Sequence, residues 1–166
     1  MAAASRAAGA FVLALGCAQE RPTIIPEPPA TFALDAALAP IEPNTREGFE
    51  RWNATFPGCP HALGQPEPLA PGALDAVVFG PELTGDYVAS WSYLRTSLSL
   101  GQLAFELPDE RVMASVLHEL GHARGVKHLD DGLMADELPY DQPAVFDDLA
   151  YGAVCDAAPL CCREDP

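Results

Sequence analysis

The chain has 166 residues, 49% hydrophobic and 20% charged, which is enough length and apolar content for one domain with its own core. Acids outnumber Lys and Arg by 24 to 9, giving a formal net charge of −15. That balance excludes nucleic acid as a partner, because phosphate contacts need clusters of Lys and Arg.

Residues 1–16 read as a targeting segment. Arg6 supplies a positive start, and Ala7 to Leu15 form an apolar run too short to span a bilayer. The run ends Leu13-Ala14-Leu15-Gly16-Cys17. This resembles the bacterial lipobox, in which cleavage precedes a Cys that becomes the lipid anchor. The resemblance implies an exported cell-envelope lipoprotein anchored at Cys17, with no other membrane contact, or a secreted protein if Cys17 is not lipidated. Residues 17–30 read as a tether, since Pro22, Pro26, Pro28 and Pro29 keep the backbone extended. The alternative places Thr23-Ile24-Ile25 in a sheet as an edge strand.

Residues 31–166 make the domain. Thr31 to Asp35 alternates weakly and predicts a strand. Asn44, with Glu47 three residues on, predicts a capped helix over 45–56, whose Phe49, Trp52 and Phe56 recur at core-facing spacing. Residues 57–74 are crowded with Pro and Gly and predict an irregular loop, with Cys59 in a disulfide and His61 on the surface. Ala73 to Phe79 predicts a buried strand, and 87–91 and 97–100 predict two more. Leu103 to Leu107 predicts a short strand leading into a helix that Asp109 caps.

That helix carries His118-Glu119-Leu120-Gly121-His122-Ala123-Arg124-Gly125-Val126-Lys127-His128. His118 and His122, four apart, lie one turn apart on one face and can offer two imidazoles to one metal ion. Val112, Met113, Val116, Leu117 and Leu120 fall roughly opposite, so one side can pack on a core while the other faces a cleft. Gly125 lets the backbone leave the helix through a left-handed conformation, which can return His128 as a third ligand. Three protein ligands leave one position open, the arrangement of a catalytic zinc site, and Glu119 stands beside them as a candidate general base.

The pattern H-E-x-x-H-x-x-G-x-x-H resembles the metzincin clan of zinc metallopeptidases, whose motif it matches at His118, Glu119, His122, Gly125 and His128. The resemblance implies an α+β, zincin-like domain: a twisted mixed sheet with an N-terminal helix, an active-site helix and a C-terminal helix. It also implies one catalytic Zn2+ and an edge strand, here 87–91, that pairs with extended substrate. Leu133-Met134 resembles the matrixin Met-turn. Only five residues separate His128 from Met134, two fewer than is usual there, and Asp136 stands where some metzincins carry Tyr.

Asp141-Gln142-Pro143 predicts the start of a last helix, with Val145, Phe146, Leu149 and Val154 as its apolar stripe. Cys59, Cys155, Cys161 and Cys162 remain once Cys17 is set aside, an even number that suits an oxidising compartment. Adjacent Cys161 and Cys162 are strained as a pair, so Cys59 is expected to bond one of them and Cys155 the other.

The expected protein is a monomeric zinc endopeptidase acting on protein or peptide substrates. Two alternatives stay open. One is a peptidase whose third ligand is a downstream acid, with Glu137 as the candidate. The other is a non-catalytic zinc-binding module of the envelope.

Overall fold

The computed structural model describes residues 13–14, 26–70, 72–83, 87–138 and 141–162. Cys17, almost all of the expected signal segment and the Thr23-Ile24-Ile25 alternative lie outside the described residues. Leu13–Ala14 (β1) forms a short antiparallel pair with Glu137–Leu138 (β7).

The principal sheet has five strands in the order β3-β2-β4-β6-β5. β2 (Thr31–Asp35) buries Phe32 and Leu34 on one side, the period-two pattern of a strand. It runs parallel to β3 (Ala62–Glu67) and to β4 (Ala76–Phe79), and β4 runs parallel to β6 (Ser97–Leu100). β5 (Ala89–Ser92) is antiparallel to β6 and closes the sheet as its edge. The expected edge strand is therefore an edge. β3 is a correction, because it lies inside the stretch 57–74 read as loop. Its sequence, Ala-Leu-Gly-Gln-Pro-Glu, has weak strand propensity, and pairing with β2 decides the matter. Pro66 is tolerated because β3 is the other edge.

α1 spans Glu42–Thr55, starting earlier than the expected 45, with Pro43 in its first turn. Asn44 is not its cap. Its side-chain amide donates to Asp109 Oδ1 at 2.9 Å, tying the starts of two helices together. Glu47 pairs with Arg51, which also reaches Glu110. Phe49, Trp52 and Phe56 are buried as expected. Gly48 lets α1 close on its neighbour, since a Cβ there would stand 2.9 Å from Val116 Cγ1.

That neighbour, α2, spans Asp109–Ala123. Pro108 occupies the cap position and Asp109 falls in the first turn, so Asp109 complements the helix dipole without capping. Residues 102–105 form a 3-10 turn, correcting the expected strand over 103–107. α3 spans Asp148–Ala157 and is capped by Asp147, not by Asp141. Phe146 packs edge-on against Trp52 and Phe56. Val154 is buried, whereas Val145 and Leu149 are exposed, so only part of the expected stripe is core.

Cys59 is bonded to Cys161 and Cys155 to Cys162. The first bond staples the C-terminal end to the chain just after α1, one of the two allowed pairings. His61 corrects another expectation. It is 2% exposed, with Nδ1–H donated to the Pro29 carbonyl at 2.7 Å. The Asn53 side chain brackets its backbone in both directions.

Candidate metal centre

α2 sets His118 and His122 four residues apart, and their rings meet at a centroid distance of 4.5 Å. The helix ends as its sequence predicts. Gly125 has φ +90°, its N–H reaches the His122 carbonyl, and the Val126 N–H reaches the Gly121 carbonyl. These are the two bonds of a Schellman ending. The chain then turns back and delivers His128, so that His122 Nε2 lies 2.8 Å from His118 Nε2 and 3.0 Å from His128 Nε2. His118, His122 and His128 form the one His, Cys, Asp or Glu cluster of metal-binding geometry found among the described residues. Glu137 lies in β7 and is not part of it.

The outer nitrogens explain why these short separations are not ordinary hydrogen bonds. His118 Nδ1 faces the Leu133 carbonyl and His122 Nδ1 faces the Val126 carbonyl, each at 2.8 Å. A carbonyl only accepts, so each Nδ1 carries the proton and each neutral ring keeps an unprotonated Nε2. Burial, then the neighbouring His122, holds His118 well below the ordinary imidazole range, which keeps that ring neutral. His128 Nδ1 faces Asp136 Oδ1 at 2.8 Å, which sets the same tautomer in its neutral ring. Three nitrogen lone pairs therefore converge on one point. Such an arrangement is repulsive by itself and favourable around a cation. Nitrogens bound tetrahedrally to one zinc at about 2.0–2.1 Å lie about 3.3–3.4 Å apart, so the rings need to part by only about 0.5 Å to hold one.

Glu119 is 0% exposed, and neither carboxylate oxygen completes a hydrogen bond. Burial pushes its carboxyl up to about 8, against a smaller downward pull from the Trp91 backbone N–H in β5. With no cation beside it, such a carboxyl keeps its proton at neutral pH, and positive charge at the three histidines would favour the carboxylate.

Met134 is fully buried against α2, its sulfur 2.5 Å from where a Cβ on Gly121 would stand. The turn is stitched locally. The Leu129 N–H donates to the Met134 carbonyl and the Leu133 N–H to Asp147 Oδ2. Asp147 thus joins α3 to the turn, and through the Leu133 carbonyl to His118.

One expectation changes here. α2 is buried from Arg111 to Ala123, so its histidine face is not an open cleft wall. The 126–135 turn covers it, and the exposed part of the cluster is His128, whose side chain is 24% exposed. Sequence reasoning missed Asp136, Asp147 and Tyr93, whose hydroxyl donates to the His122 carbonyl at 3.0 Å. A short Asp-Asp pair before Leu149 was a signal for the Asp147 cap. Nothing local in the sequence marks the other two.

No protein-family model and no curated protein matches the sequence. Among solved structures the fold matches a zinc-dependent peptidase from Methanocorpusculum labreanum (strain Z), with a TM-score of 0.54 at 10% identity. The match covers 75% of this chain and 98% of that one. At that identity the likeness is one of fold: a five-stranded mixed sheet with its helices, consistent with a zincin-like peptidase fold.

Proposed function

We propose that the chain is a zinc-dependent endopeptidase of the metzincin type. The observation that carries this reading is the convergence of three Nε2 lone pairs beside a buried Glu119 whose carboxylate completes no hydrogen bond. A purely structural ion has no use for such an acid.

His118, His122 and His128 would hold the metal. A zinc ion there supplies Lewis acidity, making water more acidic and polarising a peptide carbonyl. Glu119 then acts as general base, taking a proton from water and passing it to the leaving amine. Its desolvated surroundings favour the first transfer. The carbonyls of Leu133 and Val126 hold two of the rings in the required tautomer. β5, with no strand on its outer side among the described residues, offers an edge on which an extended peptide can lie. An edge open along its length suits internal bonds of a chain better than its ends.

We further propose export as a lipoprotein. In this reading residues 1–16 are removed, Cys17 is the anchor, 17–30 are the tether and 31–166 the catalytic domain. The two disulfides support an oxidising compartment. A monomer is expected.

The test is digestion of a peptide library by the full-length protein, with and without a zinc chelator, read by mass spectrometry. Internal cleavage that the chelator stops and added zinc restores is expected. Zinc binding with no cleavage of any peptide would favour the non-catalytic module instead.

A further inference from the structure

We infer that Asp136 is a positioning residue for the third metal ligand, and that the shortened span between His128 and Met134 is the device that places it. The inference rests on the metal-centre reading above.

The three histidines are held by unequal means. His118 and His122 sit on a buried helix, and each gives its Nδ1–H to a main-chain carbonyl. Those rings have nowhere to turn. His128 stands beyond the helix, is partly exposed, and has a carboxylate as its partner, Asp136 Oδ1 at 2.8 Å. A flexible ligand needs its ring direction fixed, and a carboxylate on the outer nitrogen does this while raising the basicity of the inner one.

The chain brings Asp136 there by closing a small loop. The Leu129 N–H bonds the Met134 carbonyl at 2.9 Å, the Ala135 N–H bonds the Gly132 carbonyl at 3.1 Å, and Leu129 bridges Ala135. Asp147 clamps the Leu133 N–H from outside. The residue before the bridge is His128 and the residue after it is Asp136. With only five residues between His128 and Met134, the loop is tight enough to shut at that point. The short span and the carboxylate are thus one feature.

Asp136 is also dispensable to the fold. Its side chain is 72% exposed and makes no other contact among the hydrogen bonds and ion pairs described. Removing it opens no cavity, so an effect on metal binding can be separated from an effect on stability.

The experiment measures zinc affinity of the full-length chain by competition with a chromophoric chelator. It is paired with the visible spectrum of the Co2+-loaded protein and with thermal unfolding of the metal-free protein. Asp136→Ala is expected to weaken zinc binding by about 10–100-fold and to alter the cobalt bands. Asp136→Asn should fall between that variant and the parent, since its amide oxygen accepts but carries no charge. Metal-free unfolding should stay unchanged in both. Zinc affinity of Asp136→Ala within twofold of the parent would overturn the inference, and so would a matching loss of metal-free stability. Failure of the parent itself to bind zinc would overturn the metal-centre reading first, which the parent curve alone decides.

Discussion

The two halves of the histidine cluster are built on opposite principles. The helical half, His118, Glu119 and His122, is buried, lies on regular backbone, and inherits its geometry from the 3.6-residue repeat. The turn half, His128, Leu133, Met134 and Asp136, has no repeat to lean on and is held by a handful of specific bonds. A helix supplies geometry at no cost in dedicated partners, whereas an irregular turn must have each of its directions tied separately. Placement of the ligands in the helical half should therefore be robust to loss of any one polar partner, and placement of His128 by the turn half should not.

The largest expected effect lies in the helical half and concerns chemistry rather than structure. Glu119→Gln is nearly isosteric and should cut peptide cleavage by about 10²–10⁴-fold with zinc content unchanged. Cleavage at parental rates would remove Glu119 from the proton-transfer role.

Acidification probes the bracing of the same half. Arg124, just past the end of α2, donates to His61 Nε2 at 3.0 Å. Burial, then the charge of Arg124, lowers His61 from its ordinary 6.5 to about 4. A proton is bound by the unfolded chain and refused by the folded one between those values. This contribution is therefore complete above pH 6.5 and is lost as the pH falls towards 4. The loss should approach about 3 kcal/mol. His61→Asn, whose amide can still donate to Pro29, should flatten this part of a plot of unfolding free energy against pH. An unchanged slope would show that His61 is not the group responsible.

Contact between the halves is tested by Gly121→Ala. The added methyl meets the Met134 sulfur, and displacing it should cost about 1–3 kcal/mol. In a Met134→Ala background the same change should cost almost nothing. Additive costs in a denaturant series would mean that the two residues do not press on each other. The smallest effect is expected from Asp147→Asn, which keeps an acceptor for the α3 amide but sets an NH2 group against the Leu133 N–H. About 1 kcal/mol should be lost. Zinc affinity should fall with it if the Leu133 carbonyl shifts on His118.

The same division explains what was legible in the sequence. Ligand spacing on a helix and a glycine ending are local properties, so His118, Glu119, His122, Gly125 and the return of His128 could be read directly. The β5 edge and the disulfide alternatives also came through. What stayed hidden was set by partners distant in sequence. Asn44 had the chemistry of a cap, but Asp109 took its amide. The segment Ala62–Glu67 lacks strand character until β2 pairs with it. A histidine in a Pro-rich stretch reads as exposed until the Pro29 carbonyl and Arg124 are placed against it. Asp136 was visible in the sequence only as an acid two residues after Met134, because its contact with His128 depends on how the turn closes.

The two margins of the sheet differ as well, with consequences for self-association. On β3, Arg46 consumes the carbonyls of Leu63 and Gly64, and Pro66 has no amide to offer. That margin is sealed against another strand. Among the described residues β5 is the other margin of the principal sheet, so two copies joining through that sheet are directed to β5 against β5. Such a union uses up both free margins and stops at two. Crowded copies of the described domain that pair in this way have no second free margin of that sheet by which it could grow into a fibre.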